Sequence, residues 1–478
     1  MNKSLLWGLY VVWSIPIANF VTHPSYDTQT WPVWLAMGAT LSICLADRRF
    51  CALALPFVAM FSPLAGASGF LNLLPSEIFL MYCALSLFRD VIASDSQVRG
   101  KLLPGDTYLF LMALIAMFSY IQSFEYAALL SSFLNWIALF IVFAVTRVAA
   151  RSTDLVGVYF LSLSVVTVYA SALIVASFFN GISLAHYWSD VEQIVYRQED
   201  LEYYFRASYF YTNVFFILGA AAIASFVSAF SNVKPIYKLL SSGLLITVLA
   251  TLFIMFRKTA LFALAASLLI LGLIVFAVDK SPRERSRMPQ YVLGIGLVVF
   301  FLLFGAKVVE TLDLAGGTET WGLRLDVFSA SFDVLLKRPE RWFFGFGPDA
   351  STRLDNEAVN LARESAGGAE GAIDSAYITF LFEYGLGFLV LFLAFGVHTL
   401  VRLFRLIRRN REQRSALITL FGVVVFFYIA AGAQVFGTSK VAWVIIQVLA
   451  FVGVCLREKS LIDRKSVGLG KAARAISG

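Results

Sequence analysis

The stretch that decides the fold runs from Asp374 to Val397 and reads DSAYITFLFEYGLGFLVLFLAFGV. Apart from Asp374 at its start and Glu383 inside it, the stretch contains only apolar, aromatic, glycine and small hydroxyl residues. About 20 mostly apolar residues suffice for an α-helix to cross the roughly 30 Å hydrocarbon core of a membrane. This stretch is therefore typical of a transmembrane helix.

Similar stretches recur along the whole chain, and we predict about fourteen transmembrane helices. The 478 residues are 59% hydrophobic and 14% charged, which is too apolar for a water-soluble fold of this size and excludes a soluble enzyme. The predicted spans are Leu5–Val21, Trp31–Ala46, Phe50–Leu64, Phe70–Phe88, Thr107–Ile121, Tyr126–Val148, Leu155–Phe179, Tyr209–Phe230, Leu239–Phe256, Thr259–Val278, Tyr291–Gly305, Asp374–Val397, Ala416–Val435 and Val441–Leu456.

The distribution of basic residues predicts the orientation of these helices. Lys and Arg are retained on the cytoplasmic side of short membrane loops. With the N-terminus inside, 26 of the 38 basic residues fall in the cytoplasmic breaks and tail, so both termini are predicted to be cytoplasmic. The net charge of +7 is thus explained by orientation in a membrane, and we expect no nucleic-acid partner.

One connection is far longer than the others and defines the predicted domain organisation. Residues 1–305 contain helices one to eleven, 306–373 form a large periplasmic loop, 374–456 contain the last three helices, and 457–478 form a basic tail. Within the loop, Leu325, Phe328, Phe332 and Leu335 recur at helical spacing, which predicts an amphipathic helix over Gly322–Lys337 that Pro339 ends. A second helix is predicted over Ser351–Glu364.

Nothing in the sequence indicates a metal or an organic cofactor. The four cysteines fall in helices or near their cytoplasmic ends, and the three histidines are far apart in sequence and on both predicted sides of the membrane. A catalytic Ser-His-Asp order, a P-loop, a dinucleotide fingerprint and a paired-histidine motif are all missing. We therefore predict no cofactor and no metal ligands.

Basic residues on the predicted outer side run against the usual charge bias and are candidates for an anion site. Arg257 and Lys258 stand in a tight connection between two apolar helices, while Arg324, Arg338 and Arg341 belong to the long loop. Interfacial anchoring and solvated loop charges are the plain interpretations. The functional interpretation is that these side chains bind a lipid-linked pyrophosphate, because guanidinium groups make bidentate, charge-assisted hydrogen bonds to phosphate.

Two acidic residues near predicted outer helix ends are candidates for chemistry. Asp374 stands where the long loop enters the twelfth helix, where it could act as an N-cap or as a general base for a sugar hydroxyl. Glu77 lies near the outer end of the fourth helix, where it is either a functional group or the partner of an external arginine. A tyrosine-rich outer loop, Asn180–Phe205, is interpreted as an interfacial aromatic belt or as a sugar-stacking wall.

These residues resemble the O-antigen polymerase and ligase superfamily of bacterial membranes, whose members have 12 to 14 helices and a late periplasmic loop. The resemblance rests on Arg324-Leu325-Asp326, Pro339, Gly345-Phe346-Gly347, Asp374-Ser375-Ala376-Tyr377 and Glu383-Tyr384-Gly385-Leu386-Gly387, in that order. The Phe256–Leu261 hairpin is similar to the family's Arg-led helix start. Arg206 with Tyr209–Asn213 is similar to a family segment whose proline is missing here, and Pro75-Ser76-Glu77 stands where many members keep an acidic residue.

The resemblance implies an all-α, GT-C-like membrane glycosyltransferase that polymerises undecaprenyl-pyrophosphate-linked repeat units into a surface polysaccharide of the lipopolysaccharide or O-antigen kind. It implies catalytic roles for Asp374, Arg257 and Arg324, and substrate-binding roles for Lys258, Arg206, Arg338, Arg341, Glu77 and Tyr377. Its partners would be the lipid-linked glycans, the bilayer and a chain-length regulator. Asp374 stands where the ligases typically place a histidine, which favours a polymerase. An O-antigen ligase and a lipid-linked oligosaccharide flippase are the alternatives.

Overall fold

The computed structural model describes the backbone over most of the predicted helices. The described residues are 3–22, 31–61, 75–93, 105–123, 126–150, 154–180, 194–198, 201–206, 210–230, 235–254, 258–278, 296, 328–329, 331–347, 350, 375–410, 413–432 and 442–455.

Long α-helices make up almost all of this described part, and their positions correspond to those of the predicted spans. In chain order the helices are α1 Lys3–Thr22, α2 Trp31–Ala46, α3 Arg48–Phe61, α4 Pro75–Ala93, α5 Asp106–Ser123, α6 Tyr126–Ala149, α7 Asp154–Asn180, α8 Phe210–Phe230, α9 Pro235–Ile254, α10 Lys258–Val278, α11 Ala376–Arg409, α12 Arg414–Ala431 and α13 Ala442–Cys455. The predicted eleventh span, Tyr291–Gly305, lies outside the described residues except for Gly296.

Three of the described helices are long and apolar enough to cross a membrane. They are Pro235–Leu252, Ala376–Arg409 and Arg414–Ala431, and eight shorter apolar helices accompany them in the described part of the chain. Large apolar side chains such as Leu239, Phe262 and Leu273 are more than half exposed on the helix surfaces, which is favourable in lipid and costly in water. The fold is that of a helical membrane protein.

Two β-strands among the described residues form an antiparallel hairpin. Strand β1, Ile194–Gln198, pairs with β2, Leu201–Arg206, with Ile194 opposite Arg206 and a register shift between Tyr196 and Gln198. Both strands are rich in β-branched or aromatic residues, which favour extended backbone. The hairpin lies in the tyrosine-rich loop, for which we had predicted no secondary structure.

Antiparallel packing gives the bundle two distinct ends. At one end of the α5–α11 pair the ring of Tyr108 lies 5.5 Å from that of His398, and at the other the Ser119 hydroxyl donates a 2.5 Å hydrogen bond to the Glu383 carbonyl. We call the first the basic end, because α11 finishes there with Arg408 and Arg409, and the second the loop end.

Helices α8, α9, α10 and α12 also alternate in direction between the two ends of the bundle. Gly219 of α8 lies against Phe426, and Ile223 lies against Gly422, so α8 and α12 are antiparallel and α8 ends at the basic end. Helix α9 packs back along α8, and only three residues separate the end of α9 from the start of α10. Lys258, the first residue of α10, is therefore at the loop end.

An internal proline shows how neighbouring helices supply hydrogen bonds to backbone carbonyl groups of the bundle. Pro56 lies inside α3 and has no N–H, so the Ala52 carbonyl loses its helical partner. The buried Gln447 side chain of α13 donates a 2.9 Å hydrogen bond to that carbonyl, and Ser162 of α7 donates one of 2.7 Å to Leu53. Because lipid supplies no hydrogen bonds, neighbouring helices must provide these donors.

The tight turn between α2 and α3 is held by one carboxylate. Asp47 accepts hydrogen bonds from the Arg49 backbone N–H at 3.0 Å and from the Arg49 guanidinium at 2.6 to 3.1 Å. Burial opposes ionisation of Asp47, but the hydrogen bonds and the charge of Arg49 outweigh it and hold the pKa of Asp47 below its usual range. Asp47 thus caps the first turn of α3.

Candidate functional site

The long loop returns to the bundle through residues 331–347, which we call the docked segment. It begins with a short helix, which ends at Leu336, and continues through the 3-10 turn Pro339–Arg341 into Gly345 and Gly347. Val334 and Leu335 of this helix pack with Leu381 and Phe382 of α11 in a small apolar core. Within the predicted helix Gly322–Lys337, the described residues 328–329 and 331–336 are helical, and the helical conformation ends before Pro339.

The predicted apolar face of this helix is wrong at one residue. Phe328 and Leu335 pack against α11 as expected, but Phe332 is 45% exposed and Val334 is buried instead. The face that contacts α11 consists of positions 328, 331, 334 and 335. The spacing of apolar residues could not distinguish this face, because Phe332 and Leu336 are also apolar.

Helix α11 is broken at Gly385, where the docked segment reaches it. Gly385 has φ 83° and ψ 177°, a conformation essentially restricted to glycine, so the carbonyls before it and the N–H groups after it lose helical partners. Within a membrane such groups must be satisfied by protein.

The docked segment supplies those partners directly. The backbone N–H groups of Phe346 and Gly347 donate to the carbonyls of Phe382 and Glu383, each at 2.9 Å, and Leu386 N–H donates to the Trp342 carbonyl at 2.7 Å. We call this backbone contact between residues 342–347 and 382–386 the glycine junction. The Ser119 hydroxyl adds a further donor to Glu383.

Two glycines allow the backbones to approach so closely. A Cβ on Gly345, at φ 69°, would lie 2.4 Å from the Glu383 carbonyl oxygen, and one on Gly385 would lie 2.2 Å from the Phe343 oxygen. Any side chain at either position would overlap main-chain atoms that cannot rotate away. The structure thus brings together the Gly-x-Gly turn and the Glu-Tyr-Gly segment that the sequence analysis had singled out 38 residues apart.

The three predicted catalytic residues, Asp374, Arg257 and Arg324, lie outside the described residues. Asp374 immediately precedes Ser375, which is buried at the loop end, and Arg257 immediately precedes Lys258, which begins α10 at the same end.

The predicted substrate-binding residues are distributed over several elements. Arg338 is exposed and Arg341 is half-buried in the 3-10 turn that leads into the glycine junction. Glu77 lies half-buried in the first turn of α4, and Arg206 is the last residue of β2. Tyr377 belongs to the first turn of α11 and donates its hydroxyl to the Tyr428 carbonyl of α12, so this side chain joins two helices.

Glu383 belongs to the candidate site, although no role was predicted for it from the sequence. Its side chain is only 6% exposed, in a helix apolar enough to cross a membrane, and its carbonyl is the centre of the glycine junction. An ionisable group at such a position is a functional candidate by default, since burying a carboxyl group in lipid is costly. The available signal was a single acidic residue within an otherwise apolar stretch.

A second charged contact lies at the basic end. Arg147 of α6 makes a bidentate pair with Asp106 of α5, and its guanidinium stacks 4.0 Å from the centre of the Phe143 ring. Gly453 of α13 approaches the same guanidinium. The sequence did not predict this pair, because Arg147 was counted only among the 26 basic residues of the cytoplasmic breaks and tail.

The fold and the glycine junction together define the class: a helical membrane protein in which the docked segment is anchored to a broken helix. Within the described residues no group of three or more His, Cys, Asp or Glu side chains could hold a metal ion. No protein-family model matches this chain, and no curated protein matches it.

Proposed function

We propose that this chain is an inner-membrane glycosyltransferase of about fourteen transmembrane helices with a GT-C-like architecture. Its reaction joins undecaprenyl-pyrophosphate-linked oligosaccharide repeat units into a surface polysaccharide on the periplasmic face. The donor is one lipid-linked glycan and the acceptor is another.

The observation that carries the proposal is the glycine junction. The resemblance to the O-antigen polymerases rests on a Gly-x-Gly turn in the loop and on the segment that begins at Asp374. In the structure the turn binds that segment's helix through two backbone hydrogen bonds, and Trp342 accepts a third. This contact favours a shared role for the two motifs, because it holds Arg338 and Arg341 beside the helix that Asp374 precedes.

The two ends of the bundle add a second line of support. The neighbours of Arg257 and Asp374 in the chain, Lys258 and Ser375, are both at the loop end, as a shared cleft requires. The many cations of the opposite end favour its placement in the cytoplasm. The loop end would then face the periplasm.

The proposed chemistry is a substitution at the anomeric carbon of the donor sugar. The acceptor hydroxyl oxygen forms the new glycosidic bond, the bond from that carbon to the pyrophosphate oxygen breaks, and undecaprenyl pyrophosphate leaves with the electron pair. Asp374 takes the hydroxyl proton. Because pyrophosphate is already a good leaving group, positioning and charge stabilisation are the main contributions required of the protein, without a metal.

The basic residues are assigned to the pyrophosphate. Arg257 and Arg324 bind it and offset the charge that develops on the leaving oxygen, assisted by Lys258, Arg206, Arg338 and Arg341. Glu77 and Tyr377 are assigned to the glycan. A chain-length regulator would act on the same loop end, which faces the growing polymer in this proposal.

The test is the Asp374→Asn variant in a strain that lacks the native protein. We expect single-repeat glycans in place of long chains, since loss of a general base lowers rates by about 10² to 10⁴. The control is Asp333→Asn, an exposed carboxyl group in the same loop, which should keep the native chain length. Native chain lengths in a correctly inserted Asp374→Asn variant would remove Asp374 from catalysis.

Loss of the whole protein separates the proposed function from its alternatives. A polymerase deletion leaves single repeat units and no polymer. Polymer that accumulates on undecaprenyl lipid would instead identify a ligase. Lipid-linked units that accumulate on the cytoplasmic leaflet would identify a flippase. The surface glycan and its lipid linkage should therefore be measured together.

A further inference from the structure

The docked segment exposes more large apolar side chains than a loop in water should. Phe332 is 45% exposed, Leu336 61%, Trp342 42% and Phe343 56%. Scattered exposed apolar residues are normal on protein surfaces, but four of them within twelve residues form a patch. The patch requires an environment that is less polar than water.

The helix of the docked segment has three sectors rather than two. At about 100° per residue, Ser331, Val334 and Leu335 point towards α11, and all three are buried. Phe332 and Leu336 follow on one flank, whereas the exposed Asp333 and Lys337 lie on the far side. A helix that contacts protein, an apolar phase and water in turn lies parallel to an interface between the last two.

The turn after this helix continues the apolar sector. The ring of Phe343 and the side chain of Ile115 of α5 both lie next to Gly387 of α11, and the ring of Phe344 lies 5.7 Å from that of Phe118. Phe118 is itself 52% exposed on α5. The rings of Phe343 and Phe344, which lie 4.9 Å apart, therefore connect the docked segment with the exposed apolar surface of α5.

From this arrangement we propose that residues 331–343 lie in the headgroup region of the membrane, with Phe332, Leu336, Trp342 and Phe343 inserted among the lipid chains. The occupant of the patch is lipid because the patch is continuous with helix surfaces that lipid already covers. Among the charged residues of the same segment, Asp333 and Lys337 lie in the third sector of the helix, Arg338 and Glu340 are exposed, and Arg341 is half-buried. Trp342, whose indole N–H donates to the Leu335 carbonyl, is of the residue type that favours this depth.

The experiment compares spin labels at single introduced cysteines in proteoliposomes of phosphatidylethanolamine and phosphatidylglycerol. Labels at Phe332→Cys and Phe343→Cys report on the patch, and labels at Asp333→Cys and Glu340→Cys are matched controls one to three residues away. The four native cysteines are buried, so we expect them to react little with the label. Labelling of the protein without an introduced cysteine measures this background. Accessibility is measured to oxygen, which concentrates in lipid, and to a water-soluble nickel chelate.

We expect a several-fold higher ratio of oxygen to nickel accessibility at positions 332 and 343 than at 333 and 340. Equal ratios would place the segment in water and overturn the proposal. Low accessibility to both reagents at 332 and 343 would also overturn the proposal. In that case, dipolar broadening of the spin-label spectrum would identify a second copy of the chain on the patch. A spectrum without such broadening would identify another protein surface. If either patch variant fails to fold, Leu336→Cys tests the same sector.

This inference does not depend on the proposed enzymatic activity. Lipid contact at the patch would stand if Asp374→Asn left glycan length unchanged, and a segment in water would leave the polymerase assignment intact.

Discussion

At the scale of single residues, the glycine junction is packed backbone against backbone. Gly345 and Gly385 each face a carbonyl group of the other's segment, with no space for a Cβ. Both have positive φ, so both the conformation and the close approach favour glycine. The glycine junction therefore requires that neither Gly345 nor Gly385 has a Cβ atom.

We predict that Gly385→Ala loosens the junction. The backbone conformation alone should cost about 1 to 3 kcal/mol in a residue with a Cβ. The overlap with the Phe343 carbonyl adds to this cost. The measurement is the thermal unfolding midpoint of the detergent-solubilised protein, together with limited proteolysis of the loop, which should become faster as the docked segment detaches.

The matched control is Gly243→Ala, a glycine inside α9 with open space where the Cβ would lie. Alanine favours helix over glycine by about 1 kcal/mol, so this variant should be as stable as the native protein or more so. A Gly385→Ala protein with native stability and native proteolysis would contradict the role given to the junction.

At the scale of secondary-structure elements, α5 is held at both ends by different interactions. At the loop end, Ser119 donates to the Glu383 carbonyl of α11, and at the basic end, Asp106 pairs with Arg147 of α6. The side chains of that pair are only 11% and 17% exposed. An ion pair with so little solvent depends on both partners, since either charge alone would be left largely desolvated.

We predict that Asp106→Asn destabilises the protein by about 3 kcal/mol, the lower part of the range for removing one partner of a buried pair. The double variant Asp106→Leu with Arg147→Met should recover much of the loss, because apolar side chains of similar volume can replace such a pair. Thermal unfolding in detergent measures both.

Arg408→Met is the control for the loss of an arginine near a helix end. Arg408 also lies over a phenylalanine four residues earlier, Phe404, but at 6.0 Å, and it is exposed. Its loss should change stability by less than about 0.5 kcal/mol, as for most surface substitutions. Equal losses in Arg408→Met and Asp106→Asn would mean that the pair contributes nothing specific.

At the scale of the whole molecule, the two ends of the bundle differ in charge. The chain directions of the helices place eleven cations of the described part at the basic end: Lys3, Arg48, Arg49, Arg89, Arg147, Lys238, Arg402, Arg405, Arg408, Arg409 and Arg414. At the loop end, α10 begins with Lys258. The docked segment at the loop end carries three cations, partly balanced by Asp333 and Glu340. This asymmetry predicts a cytoplasmic basic end.

The orientation can be measured with a membrane-impermeant maleimide on Lys337→Cys and Arg409→Cys, two exposed positions at opposite ends. In intact spheroplasts we expect labelling of position 337 alone, and of position 409 only after the membrane is permeabilised. The reverse pattern would invert the proposed orientation, and it would place the predicted site in the cytoplasm.

Much of the fold was accessible from the sequence because the signal for a membrane helix is local. Composition alone placed segments such as Thr259–Val278, which matches α10 closely, and Asp374–Val397, although α11 begins at Ala376 and continues to Arg409. The hairpin at Ile194–Arg206 was not predicted, since its pattern is short and competes with an aromatic-belt interpretation. The candidate site was only partly accessible: the Gly-x-Gly turn was recognised, but its contact with Gly385 was not.

The sequence by itself determined that this protein is helical, that lipid surrounds it and that Pro339 ends the loop helix, because these depend on composition and on the chemistry of neighbouring residues. Only the tertiary structure decided that the loop docks on a broken helix, that Glu383 is buried at that contact, and that Phe332 is exposed while Val334 is buried. These outcomes depend on which backbone groups find partners across large separations in the chain, and no local pattern encodes that choice.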